Sequence, residues 1–130
     1  MSGKAVLDSN TIMDLFNGVI PLEAFKEALT DMEQIISVIT ELELLSFPRI
    51  GEEQETKIKL FLERREIVPL TEEIKKKTVE FRRKTHKKLP DSIIAATSIV
   101  SDATLITRDK ELLTLNLPCF HTLSIAGDID

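Results

Sequence analysis

The sequence predicts an α/β domain with a mostly parallel central sheet of four to five strands flanked by helices. Three observations carry this. Short apolar runs alternate with segments of helical spacing along the chain, and the runs are too apolar to leave one face in water. At 130 residues the chain can bury roughly two thirds of its extended surface in one core, and it is too short for two. Residues 1–130 are therefore expected to form a single domain, with no repeat, linker or low-complexity tract.

Taken in order, "KAVLD" is a short β-type run closed by a polar turn, and "TIMDLFNG" has helical spacing through Ile12, Leu15 and Phe16, stopped by Asn17-Gly18. "PLEAFKEALT" opens with Pro21 at a first helical position. "QIISVI" is a second buried strand, and "TELELLSF" a helix curtailed by Pro48. From Glu52 to about Glu63 the pattern is helical, with Ile58, Phe61 and Leu62 on one face. "EIVPL" is a short third strand whose Pro69 puts it at an edge or an end.

Thr71 to about Lys87 is a long amphipathic helix, with Ile74, Thr78 and Phe81 inward and basic residues outward. "DSIIAATSIVSD" is a helix apolar on nearly every side, so it should be buried. "ATLIT" is a strand, "DKELL" a short helix and "LPCFHT" a last strand. The single cysteine, Cys119, has no second thiol for a disulfide or a zinc site and is expected in the core.

Composition limits the function. The chain is 42% hydrophobic and 30% charged, which suits an ordered globular protein rather than a disordered one. No stretch approaches the ~20 apolar residues that span a bilayer, so no membrane association is expected and a cytoplasmic location is. The net charge of -5 argues against generic polyanion binding, but it hides an asymmetry. Lys75 to Lys88 holds eight basic residues and one acid, Glu80, or +7, which leaves -12 on the remainder. That tract is either a solvated lysine-rich face or a guide for a phosphate backbone, with Lys76, Arg82, Arg83 and Lys87 as the candidate contacts. His86 and His121 lack metal-ligand spacing and read as structural or surface residues.

Ligand sites of open parallel sheets form beyond the carboxyl ends of the strands. Four acids fall there: Asp8 after the first strand, Glu43 in the first turn of the helix after the second, Asp91 at the start of the buried helix, and Asp109 two residues beyond "LIT". Each has a local explanation. Asp8 suits an Asx-turn, Thr40 and Glu43 match a capping box, and Asp91 and Asp109 suit helix caps. Together, four carboxylates in one crevice would raise each other's pKa, a cost that a divalent cation removes. All-oxygen ligands suit Mg²⁺ or Mn²⁺, ions that also bind substrate phosphate.

The segments "VLDSN", "ISVITELELL", "LPDSIIAATSI" and "LITRDKELL" resemble, in order, the four acidic motifs of the PIN-domain ribonucleases, especially the VapC-like toxins of toxin–antitoxin pairs. The resemblance covers nearly the whole chain and implies a PIN-like nuclease domain. It makes Asp8, Glu43, Asp91 and Asp109 the catalytic acids. Asp8, Asp91 and Asp109 would be metal ligands, and Glu43 would act directly or through water. The alignment S-x-x-T-x-x-E-L selects Glu43 over Glu41, and Asn10 and Thr107 fall where the family places supporting polar side chains.

It further implies a metal-dependent endoribonuclease leaving 5′-phosphate and 3′-hydroxyl ends, with RNA as substrate, a cognate antitoxin and a homodimer. Leu15, Phe16, Phe25, Phe47 and Phe61 are candidates for core or interface, with core preferred. The rival from another class is a catalytically silent PIN-fold module that binds RNA or protein. A response-regulator receiver would need a phosphoacceptor Asp after a central strand, where "EIVPL" carries none, and an adjacent acid pair where Asp8-Ser9 stands; a haloacid-dehalogenase-type phosphatase would need a second Asp where Asn10 stands.

Overall fold

The computed structural model describes residues 3–48 and 50–126; residues 1, 2, 49 and 127–130 of the expected domain lie outside the described residues. Among these residues five strands form one sheet: β1 (Gly3–Leu7), β2 (Met32–Ser37), β3 (Glu66–Val68), β4 (Thr104–Ile106) and β5 (His121–Leu123). Their order is β3-β2-β1-β4-β5, and every neighbouring pair is parallel. β3 is an edge strand that stops at Val68, just before Pro69, in keeping with the edge or end expected of "EIVPL". The seven helices among the described residues are α1 (Ser9–Phe16), α2 (Leu22–Ala28), α3 (Val38–Leu45), α4 (Glu52–Glu63), α5 (Glu72–Thr85), α6 (Leu89–Val100) and α7 (Lys110–Thr114).

Strand alternation sorts the core into two layers. Ala5, Leu7, Ile36 and Ile106 face one side, where they meet Ile12, Phe25, Leu44, Ile58 and Leu62. Val6, Ile35 and Leu105 face the other and pack on Phe81, Ile94, Ala95 and Leu112. Ser92 to Ser98 of α6 are all buried, as a helix apolar on nearly every side requires. Two of its buried polar side chains turn back on the helix backbone: Thr97 donates to the Ile93 carbonyl and Ser98 to that of Ala95. The inward set predicted for α5, Ile74, Thr78 and Phe81, is buried.

Several boundaries differ from the sequence expectation. The second strand ends at Ser37, whose side chain accepts from the Ile39 amide at 3.1 Å and starts α3 there. Val38 and Ile39, β-branched though they are, become the first turn of a helix because a cap and sheet packing outweigh a weak propensity. The Thr40–Glu43 capping box is therefore absent, and Glu43 sits in the second turn. Likewise α6 begins at Leu89 with Pro90 in its first turn, two residues before Asp91.

Cys119 is exposed, with φ of +63°, in the turn feeding β5, which starts only at His121. Phe120 takes the inward position instead and meets Phe81 edge-on at 5.3 Å between ring centroids. Of the candidate core aromatics, Phe25 is buried, Phe16 and Phe61 are half-buried and Phe47 is exposed.

Candidate active site

The strand order reverses between β1 and β4, the point where a parallel sheet opens a crevice at its carboxyl edge. Leu7 pairs with Ile106, and the Asp8 amide donates to the Ile106 carbonyl at 3.0 Å. The next residues on the two strands, Asp8 and Thr107, are thereby brought face to face. The Thr107 hydroxyl donates to Asp8 Oδ2 at 2.8 Å and accepts from the Asp109 amide at 3.1 Å. One buried side chain thus reaches Asp8 across 99 residues of sequence and ties it to the backbone of a second predicted acid, Asp109.

Asp8 holds the N-cap position of α1 but makes no capping bond, so the Asx-turn expectation gives way to the bond from Thr107. It is only 6% exposed. Burial, opposed by the Thr107 bond and reinforced by the charges of Asp91 and Glu43, pushes its pKa up to about 6. Glu43 accepts from the Ser9 hydroxyl at 2.6 Å, which anchors α3 to α1. Glu41 lies on a different face of α3, beside Lys59, Glu63 and Arg65. Thr40, one helical turn before Glu43, carries a buried hydroxyl oxygen with no partner among the described residues.

Asp91 is half-buried, and no hydrogen bond reaches its side chain among the described residues. Burial and the charge of Asp109 raise its pKa, against the lowering pull of Lys87. Asp109 is a true cap: Oδ1 accepts from the amides of Glu111 and Leu112 at 2.9 and 3.4 Å. Its Oδ2 meets Lys87 Nζ at 3.1 Å. Burial acts to raise its pKa, but the bonds from Lys87 and the two amides outweigh it, and the net shift is downward.

Of the other predicted contacts, Asn10 is exposed on the first turn of α1. Lys76, Arg82 and Arg83 are exposed on α5, where Arg82 and Arg83 border a pocket with His86 and Leu89. Lys87 differs from them, because its side chain is 13% exposed and paired with both Asp109 and Glu111. Ser9 and Glu111 were not singled out from the sequence. Ser9 adjoins Asp8 and Glu111 follows Asp109 by two, so proximity to a motif acid was the available signal.

Among the described residues, no three His, Cys, Asp or Glu side chains stand close enough to ligate one ion in this arrangement. Glu43 is held by Ser9 and Asp109 by Lys87 and the helix amides. The donor chemistry nevertheless fits a hard divalent cation. All the donors are oxygens, and the charge of Asp91 bears on Asp8 and that of Asp109 on Asp91, repulsion that such an ion would relieve.

The fold and site define a parallel α/β domain with an acidic crevice at the switch point of its sheet. The chain belongs to the PIN-domain family, whose profile matches residues 5–116. Among solved structures it is similar to a toxin–antitoxin complex from Klebsiella pneumoniae, at 28% identity and a TM-score of 0.76, over 95% of this chain and 99% of that one. It also shares its fold with VapBC2 from Rickettsia felis, bound to a DNA fragment from its promoter, at 22% identity and a TM-score of 0.78 over 93% and 98% of the two chains. VapBC-1 from nontypeable Haemophilus influenzae matches at 23% identity and 0.75 over 93% and 97%. No curated protein sequence matches the chain. No helix among the described residues is long and apolar enough to cross a membrane.

Proposed function

We propose that this chain is a Mg²⁺- or Mn²⁺-dependent endoribonuclease and the toxin of a toxin–antitoxin pair. The observation that carries the reading is the joining of Asp8 and Asp109 through Thr107 at the switch point, with Asp91 and Glu43 near enough to act on Asp8 electrostatically. Asp8, Asp91 and Asp109 would hold the cation, and Glu43 would orient a water. When bound, the ion would lower the pKa of that water and offset charge on the scissile phosphate. Thr107 fixes the Asp8 carboxylate in the crevice, and Ser9 fixes that of Glu43. No side chain of the protein need act as the nucleophile. Lys76, Arg82 and Arg83 on α5 would draw the RNA backbone toward the crevice, supplying affinity without sequence choice.

The antitoxin reading is supported by the likeness to toxin–antitoxin complexes. It is also supported by an open groove of about 960 Å³ whose lining includes Leu15, Phe16, Leu22, Leu60 and Phe61. An apolar segment of a partner would fill it. A homodimer is part of the same reading, as is a cytoplasmic site of action.

The test is a pulse of expression of wild type and Asp91→Asn in cells, with new 5′-phosphate RNA ends mapped by sequencing. Ends at a defined site with the wild type alone are expected. Identical maps, with both proteins folded and free of antitoxin, would leave a binding module in place of a nuclease.

A further inference from the structure

Lys87 is the one cation in direct contact with the predicted acids among the described residues. It sits in the short connection between α5 and α6, and its backbone is held at several points. The Lys87 amide donates to Thr85 Oγ1 at 3.2 Å, while its carbonyl accepts from Arg82 Nε and Ser92 Oγ, both at 3.3 Å. His86, in the left-handed conformation with φ of +60°, turns the chain at this point. With the stem so anchored, the side chain lies 13% exposed, and its ammonium is shared between Asp109 Oδ2 at 3.1 Å and Glu111 Oε1 at 2.8 Å. Lys76, Arg82 and Arg83 have no such confinement, being exposed.

We propose that Lys87 is a built-in counter-cation of the acidic crevice, which a divalent ion must displace from Asp109 in order to bind. The inference rests on the metal-site reading given above. Asp109 Oδ1 is engaged by the amides of its own helix, so Oδ2, the atom that Lys87 holds, is the oxygen left for a ligand. Ammonium and metal therefore compete for one atom. The pair would spare the crevice part of its self-repulsion and set a threshold ion concentration for loading it. Lys87 is thus a positioning residue that governs metal affinity.

Mn²⁺ binding to metal-stripped protein, followed by calorimetry and by the loss of the free-ion paramagnetic resonance signal, tests this in wild type, Lys87→Met and Lys87→Arg. Urea melts of each confirm folding. Charge-assisted hydrogen bonds of this kind are worth enough that Lys87→Met is expected to bind Mn²⁺ roughly tenfold more tightly, with Lys87→Arg close to wild type. Binding by Lys87→Met alone would support the proposal most strongly. Equal or weaker binding by folded Lys87→Met would overturn it while leaving the metal site standing. Failure of all three proteins to bind would overturn the metal reading and the lysine's role with it.

Discussion

Asp8 and Asp109 lie beyond adjacent strands and share the hydroxyl of Thr107, yet their surroundings act on them in opposite senses. Asp8 is almost sealed and, among the described residues, has no cation paired with it, so burial dominates and its proton is held up to about pH 6. Asp109 has an ammonium and two helix amides pointed at it, and its carboxylate is favoured. One end of the crevice is thus strained by its charge and the other is satisfied by it. A cation entering the crevice would gain most at Asp8 and would have to compete at Asp109.

The largest effects should come from the strained end. Asp8→Asn is expected to reduce RNA cleavage by more than about a hundredfold, since even outer groups of metal sites often cost 10–100-fold. The same substitution should stabilise the metal-stripped protein at pH 7 by about 1–3 kcal/mol, read by urea unfolding. The sign follows from the raised pKa. Between about pH 4 and 6 the native wild type binds a proton that the unfolded chain has released, so stability falls as pH rises through that window. The gap between variant and wild type should open across it, and a gap independent of pH would break the contrast.

Thr107→Val removes the shared hydroxyl from a fully buried position. It should cost about 1–2 kcal/mol and move the titration of Asp8 further upward, as a proton-sensitive NMR signal of the carboxyl would report.

At the satisfied end, Asp109→Ala should destabilise by about 1 kcal/mol, the usual value of a helix cap. This is opposite in sign to the Asp8 change. The depressed pKa of Asp109 makes that contribution present above pH 4 and lost as pH falls further, so melts at pH 3 and 7 should differ in the size of the effect.

The smallest change is expected from Arg108→Ala, which breaks a half-exposed pair with Asp14 at 2.9 Å. It should cost under about 1 kcal/mol and fade at high salt in the same unfolding assay.

Much of the architecture was legible because it rests on local periodicity. The span of α4 and the inward residues of α5 match their predicted positions. Pro69 pointed to an edge or an end for "EIVPL", and β3 both lies at the edge of the sheet and stops at Val68. What was illegible followed from choices made between distant segments. Ser37, not Thr40, starts α3, because the first turn of the helix is set by where β2 leaves the sheet. Cys119 is outside because a turn of two residues lets Phe120 reach the core first. At the site, the motif acids were visible as types and spacings, but Ser9 and Lys87 as their partners were not.

By itself, then, the sequence determined the class of sheet and the helix faces and singled out four candidate acids, since these depend on residue type and spacing of a few positions. Only the tertiary structure decided which acid is buried and which is paired. Burial and Coulomb attraction depend on distances across the fold, such as Thr107 to Asp8 and Lys87 to Asp109, and no local pattern encodes them.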